Sequence, residues 1–174
     1  MKNGLTCCVT GHRPNGFPWN YADTECASHQ EYLEAMACYM DEFVRKHGVT
    51  HFIAGGAIGV DTDFAEIALD LRDNVYDYLT IEIAVPCPKQ DKFWSAEDKA
   101  RYKRILERAD TVNILSKHYT QFCMQKRNEY MIDQADIVFA FWNRNINRGG
   151  TVNAIRYAER KKKQIELFEL NDYT

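Results

Sequence analysis

Apolar residues along the chain fall alternately into short continuous runs and longer stretches with helical spacing. The short runs lie at residues 5–9, 51–54, 80–85, 111–115, 137–142 and 165–170, and most are followed by glycine, proline or polar residues. Short apolar runs bounded by turn formers are typical of strands covered on both faces. The pattern therefore predicts a strand at each run, the one at 111–115 being the least distinct.

Between these runs, apolar residues recur every three or four positions, the spacing of an amphipathic helix. Helices are predicted within residues 23–47, from Asp61, from Ser95, within residues 120–134 and from Thr151. Regular alternation of strand and helix predicts an α/β fold of the three-layer, Rossmann-like type. Its sheet would be mostly parallel, with helices on both faces.

Local signals support several of the predicted helix ends. Gly48 follows the first helix as a stop residue, and Ser95 with Asp98 three residues later forms a capping pattern. Asp61 can cap the second helix through its side chain, and contact with a ligand is an equal alternative for it.

The length of 174 residues suits one domain, and no repeat or linker divides the chain, so we expect a single domain over residues 1–174. No apolar run approaches the ~20 residues that cross a bilayer, and the start lacks a signal-peptide pattern. We therefore expect a cytoplasmic protein without membrane contact. Its six cysteines contain no C-x-x-C pair and are expected to be reduced and mostly buried.

Charge and histidine spacing narrow the functional classes. The net charge of −3 and the pI near 6.0 give no general attraction to a polyanion, which disfavours nucleic acid as a partner. The basic run at residues 160–163 fits the solvated end of a helix. The five histidines lack metal-ligand spacing, and no metal site is expected.

Three strand exits lead into polar or glycine-rich turns, and in a parallel sheet such turns share the edge where ligands bind. The turn at residues 55–61 contains Gly55, Gly56 and Gly59 before Asp61. Glycines let backbone amides approach an anion, and a helix N-terminus favours negative charge. Phosphate is the expected guest, although the spacing matches neither the dinucleotide fingerprint nor the P-loop.

Two further turns add candidate ligand-binding residues. One contains Arg148, Gly149, Gly150 and Thr151; the other contains Thr10, Gly11, His12 and Arg13. Arginine offers a forked donor to phosphate, and threonine either donates its hydroxyl to the ligand or caps its helix.

Side chains for proton transfer and stacking are fewer. His12 and Asp61 are weak candidates for catalytic acid or base, while Trp94, and less so Trp19, are candidates to stack on a base. Trp142 is expected in the core. For Arg127 the sequence leaves open whether it reaches the site or stays on the surface of its helix.

Taken together, the motifs resemble the YpsA-like branch of the SLOG superfamily, which also contains the DprA and LOG proteins. The resemblance rests on residues 9–14, on residues 55–61, on Arg127-Asn128 with Met131 and Asp136, and on residues 148–151. It runs over nearly the whole chain and implies a Rossmann-like fold of bacterial type with a nucleotide site built from the glycine turns.

The resemblance implies a ligand sensor or an enzyme of nucleotide metabolism. In LOG enzymes the last glycine motif, G-G-x-G-T-x-x-E, supplies a catalytic Glu, whereas here Val152, Asn153 and Ala154 follow Thr151, which argues against N-glycosidic hydrolysis. Our leading hypothesis is a module that binds or senses a nucleotide, such as an ADP-ribose-like or NAD-derived molecule. A homodimer of this module is a possible assembly. The alternatives are a nucleotide-metabolising hydrolase and a DprA-like nucleic-acid-binding protein.

Overall fold

The computed structural model describes residues 4–174, in which strands and helices alternate as the apolar pattern predicts. The strands are β1 (Leu5–Gly11), β2 (Val49–Ala54), β3 (Thr80–Val85), β4 (Thr111–Ile114), β5 (Ile137–Trp142) and β6 (Gln164–Glu169). The helices are α1 (Ala27–His47), α2 (Val60–Asn74), α3 (Ala96–Arg108), α4 (Cys123–Gln134) and α5 (Gly150–Arg160). Short 3-10 turns lie at Pro14–Gly16 and Leu170–Tyr173.

The strands form one sheet in the order β4-β3-β2-β1-β5-β6, and every neighbouring pair is parallel. In the centre of the sheet, Cys8 lies opposite Ile53 on one side and Val138 on the other. The chain builds outward from β1 to β4, then returns to place β5 on the opposite side of β1. The direction of winding therefore reverses between β1 and β5.

The two faces of the sheet carry separate apolar clusters, as the alternation of side chains along a strand requires. Cys7 packs with residues of α1, α2 and α3, whereas its neighbour Cys8 packs with Met131 of α4 and Ala158 of α5. The helices thus lie as three on one face and two on the other, which confirms the three-layer α/β fold.

Helix ends agree with the local signals at two positions. Gly48 ends α1 in the left-handed region, with a φ of 71°. Ser95 caps α3, since its Oγ accepts a hydrogen bond from the Asp98 amide at 3.0 Å. Helix α1 begins at Ala27, after the predicted residue 23, because residues 23–26 form turns.

Two further features concern membrane-spanning helices and the state of the cysteines. Within residues 4–174, no helix combines the length and apolarity that a bilayer span requires. All six cysteines are free; Cys38 is exposed and Cys26 half-buried, and the other four are buried.

Candidate functional site

A cleft of about 340 Å³ opens at the carboxyl edge of the sheet, between the loops that follow β1 and β5. The reversal of winding makes these loops diverge, and ligands of open α/β sheets bind in the crevice so formed. Its size lies at the lower end of small-molecule sites, roughly 300–1,000 Å³. Among the predicted site residues, those lining it are Thr10, Gly11, His12, Arg13, Asp61, Arg127, Arg148, Gly149, Gly150 and Thr151.

The N-terminus of α5 forms one wall of this cleft. Gly149 is its N-cap, with a φ of 110° that favours glycine, and a Cβ there would meet nothing within 4 Å. The first hydrogen bond of the helix runs from the Asn153 amide to the Gly149 carbonyl at 2.9 Å. The first turn of α5 contains no acidic residue. The preceding amides and the positive end of the helix dipole are therefore suited to an anion in the cleft.

The N-terminus of α2 differs from that of α5, because backbone carbonyls of the protein accept hydrogen bonds from its first amides. The Val60 amide donates to the His12 carbonyl at 3.2 Å, and the Thr62 and Asp63 amides each donate to the Gly59 carbonyl at 3.1 Å. A Cβ on Gly59 would lie 2.5 Å from the His12 carbonyl oxygen. This glycine allows the loop after β1 to pack closely against α2.

Of the two alternatives for Asp61, capping of α2 is excluded, since the N-cap is Gly59. The Asp61 carboxylate is buried and lies instead against the glycine turn, where the amides of Ala57 and Gly55 favour its charged form. A glycine turn that was predicted to hold a phosphate thus already holds a carboxylate of the protein. Gly55, Gly56 and Gly59 do not line the cleft.

Arg127, whose position relative to the site the sequence leaves open, is buried at the bottom of the cleft. Its Nη1 donates to the Gly55 carbonyl at 2.5 Å and lies 3.8 Å from Oδ2 of Asp61. Its Nε donates to Oδ1 of Asn128 at 2.9 Å. A Cβ on Gly55 would overlap the guanidinium, so this glycine makes room for Arg127.

Burial dominates the electrostatics of this pair. It raises the pKa of Asp61, although the positive charges of Arg127 and Arg13 and the amides of Ala57 and Gly55 oppose the shift. Burial also lowers the pKa of Arg127. Both groups line the cleft, where a polar ligand can supply the hydrogen bonds that water otherwise provides.

His12 presents an unused nitrogen at the same place. Its side chain is 8% exposed, and among the residues that the structure describes its Nε2 has no hydrogen-bond partner. Burial lowers the pKa of the ring, which favours neutral imidazole. A neutral ring can donate to or accept from a bound molecule.

Two tryptophans lie elsewhere than the sequence suggests. Trp94 does not line the cleft and packs edge-on against Tyr102, with ring centroids 5.2 Å apart. Trp142 is half-buried at the end of β5, so its placement in the core is wrong. Its Nε1 donates to the Ile146 carbonyl at 2.9 Å and holds the loop that lines the cleft.

Several lining residues were missed by the sequence reasoning as site residues. They are Asn15, Gly16, Ala57, Ile58, Met124, Asn128 and Ile146. Asn128 had a signal, since it is part of the family motif beside Arg127, whereas Ile146 is an isolated apolar residue in a polar loop. No group of three or more His, Cys, Asp or Glu side chains within residues 4–174 is arranged to hold a metal ion.

Comparisons with known proteins agree with the motif pattern. The YpsA family model, described as the YspA SLOG family, matches residues 7–173. The uncharacterized SPbeta prophage-derived protein YoqJ of Bacillus subtilis (strain 168) is 31% identical over 150 residues, covering 79% of this chain and 86% of that protein. A UPF0398 protein of Bacillus thuringiensis (strain Al Hakam) is 25% identical over 165 residues, covering 92% of this chain and 85% of that protein. The similarity spans every segment that lines the cleft.

Proposed function

The chain belongs to the YspA SLOG family, and we propose that its cleft between β1 and β5 binds a nucleotide or nucleotide derivative through a phosphate group. The observation that carries this proposal is the glycine-capped N-terminus of α5, which lies in the cleft beside arginine side chains. Backbone amides, a helix dipole and arginine together favour an anion.

The phosphate is assigned to the α5 wall. Arg13 and Arg148 are exposed residues that line the cleft, and Thr151 is buried in the first turn of α5. Together with the buried Arg127, these two arginines outnumber Asp61, the one carboxylate among the described residues that line the cleft. A dianionic phosphate offsets this positive charge, and the Thr151 hydroxyl supplies a directed donor.

The sugar is assigned to the opposite wall. Asp61 keeps a carboxylate among amides at the bottom of the cleft, and Thr10 is a buried hydroxyl at the end of β1. Carboxylates accept hydrogen bonds from ribose hydroxyls in other nucleotide-binding α/β folds. This orientation brings the unpartnered His12 Nε2 toward the sugar-phosphate part of the ligand.

Calorimetric titration with nucleoside monophosphates, the matching nucleosides and inorganic phosphate tests the proposal. We expect the nucleotide to bind more tightly than its nucleoside, and Arg148→Gln and Thr151→Val each to weaken binding about 10-fold to 150-fold, the value of one hydrogen bond to a charged group. Arg104→Gln is the matched control, because Arg104 is an exposed arginine of α3 outside the cleft. Equal binding by nucleotide and nucleoside would contradict the phosphate assignment.

One observation favours turnover as a second function. Burial shifts the pKa of His12 downward and that of Asp61 upward, and both residues line the same cleft. Both shifts favour the uncharged forms, an imidazole that can accept a proton and a carboxyl that can donate one. Incubation of the protein with whichever nucleotide binds, followed by chromatography, tests hydrolysis of its glycosidic or phosphoester bond; Asp61→Asn and His12→Gln should both abolish product if these residues act.

A further inference from the structure

A second groove, of about 720 Å³, lies directly beside the cleft. Asn15 and Ile58 line both, so the two spaces share a boundary. One side of the groove is formed by aromatic residues between β1 and α1, and another by the first turn of α3. A molecule bound in the cleft can therefore extend into the groove.

The aromatic side consists of Phe17, Trp19 and Tyr21, and it is rigidly held. The Phe17 ring centroid lies 5.3 Å from that of Trp19 and 4.8 Å from that of Tyr21. The polar tips are also engaged: Trp19 Nε1 donates to Nδ1 of His29 at 3.3 Å, and the Tyr21 hydroxyl donates to Oδ1 of Asp63 at 2.9 Å. The rings are thus fixed before any ligand arrives, which lowers the entropic cost of stacking.

The charge of the groove is opposite to that of the cleft. Arg101 lines the groove, but its guanidinium lies 2.7 Å from both Asp63 and Glu66 and is neutralised by them. Glu97 and Asp98, in the first turn of α3, leave the rim acidic. A phosphate is repelled from this end, whereas a group that presents N–H donors is attracted.

We propose that the groove receives the heteroaromatic base of the ligand, with preference for a base that carries an exocyclic amino group. This inference rests on the proposed nucleotide binding and gives the ligand its direction. Its phosphate lies at α5, its sugar lies at Asp61 and Thr10, and its base extends past the shared boundary at Asn15 and Ile58 to lie against the aromatic side. The amino group then faces Glu97, whose exposed carboxylate accepts its hydrogen bond.

Ribose 5-phosphate and the nucleoside 5′-monophosphates of adenine, guanine, cytosine and uracil separate the two sites by calorimetric titration. We expect at least one amino-bearing nucleotide to bind about 5-fold to 100-fold more tightly than ribose 5-phosphate, the usual value of stacking one base. Ala22→Tyr fills the groove from an exposed position. It should reduce that nucleotide to the affinity of ribose 5-phosphate and leave ribose 5-phosphate itself unchanged, which also verifies that the variant is folded.

Glu97→Gln is the second variant. It should reduce the difference in affinity between the nucleotides with an amino-bearing base and the uracil nucleotide. Base placement is overturned if the nucleotides bind no more tightly than ribose 5-phosphate, or if Ala22→Tyr leaves their affinity unchanged. The preference for an amino-bearing base is overturned if the uracil nucleotide binds as tightly as the other nucleotides. Failure of ribose 5-phosphate and of every nucleotide to bind would instead refute the proposed function.

Discussion

Arg127 joins three segments of the chain at the bottom of the cleft. Its guanidinium meets the Gly55 carbonyl after β2, the Asp61 carboxylate in α2 and the Asn128 amide in α4. Burying such a charged pair costs desolvation energy that its attraction repays only in part, so it is weak evidence for a stabilising role. Its place in the cleft instead suits a pair retained to set the charge and shape that a ligand meets.

The space around Arg127 predicts the effect of a single methyl group. Gly55→Ala should destabilise the protein by about 1–3 kcal/mol, because its Cβ would overlap the Arg127 guanidinium. Gly150→Ala is the matched control: the nearest atom to its Cβ is Nδ2 of Asn128 at 4.0 Å, and a change within about 0.5 kcal/mol is expected. Urea denaturation measures both. Equal effects at the two positions would contradict the crowding at Gly55.

The raised pKa of Asp61 predicts a pH dependence with a definite sign. A carboxyl that binds its proton more tightly in the folded state adds stability below its ordinary pKa of 3.8, and this is lost as pH rises through the folded-state value. Asp61→Asn removes the effect, so the stability of the variant minus that of the wild type should increase as pH rises from about 4 and then level off. Denaturant unfolding at a series of pH values gives this difference.

Asp73→Asn provides the opposite case for the same experiment. Hydrogen bonds from Arg72 and Arg108 lower the pKa of Asp73, so its contribution is present above the ordinary value and is lost as pH falls. The stability of that variant minus that of the wild type should therefore decrease as pH rises. A decrease for Asp61→Asn as well would show that Arg127 outweighs burial at Asp61.

The two glycine turns have different roles, and the local sequence does not distinguish them. Both turns were predicted as phosphate cradles, and local spacing treats them alike. What separates them is Arg127, which lies 72 positions from Gly55 and fills its turn from another element. Gly149 has no such neighbour, and its turn remains open toward the cleft.

At the scale of single elements, the cap of α3 makes a measurable contribution. The Ser95 hydroxyl accepts the Asp98 amide and donates to the Asp98 carboxylate at 2.7 Å. Ser95→Ala should cost about 1 kcal/mol of stability, since the amide loses its acceptor. Ser116→Ala, in the loop after β4, removes the same hydroxyl outside a helix terminus and should have a smaller effect. The comparison uses the shift in urea midpoint, and equal shifts would argue against capping.

Elements with local signals were predicted well, and those set by distant contacts were not. Gly48 and the Ser95 pattern act within a few residues, so the ends of α1 and α3 can be read from the sequence. The start of α2 depends on the His12 carbonyl, which takes the Val60 amide from another loop. The side chain of Asp61 is of a type that caps helices, which makes capping one of its two sequence alternatives, but its carboxylate turns back toward the amides of Gly55 and Ala57.

For the whole molecule, alternation of strands and helices predicts a parallel sheet and therefore a shared edge for the strand exits. It does not predict that β5 returns to the far side of β1. That reversal brings the turns after β1 and β5 to one cleft and leaves Trp94 outside it. The location of the candidate site at this edge of the sheet was thus predictable. Which residues line the cleft depends on the order of the strands.

Burial of the cysteines across both faces of the sheet makes thiol labelling a measure of global unfolding. Cys7 and Cys8 lie fully buried in β1, and burial raises the pKa of both thiols, so neither forms the reactive thiolate in the folded protein. Cys38 is exposed on α1 and should react first with Ellman's reagent, followed by the half-buried Cys26.

Cys7 and Cys8 should react only as the protein unfolds, with a urea midpoint equal to that of the circular dichroism signal, because they lie in the central strand that both clusters share. Cys38→Ser should remove the fast phase and leave the slow phase unchanged. Rapid labelling of Cys7 or Cys8 without urea, identified by peptide mass, would mean that β1 opens independently. Since β1 lies between β2 and β5 and ends at the cleft, such opening would also expose the binding site.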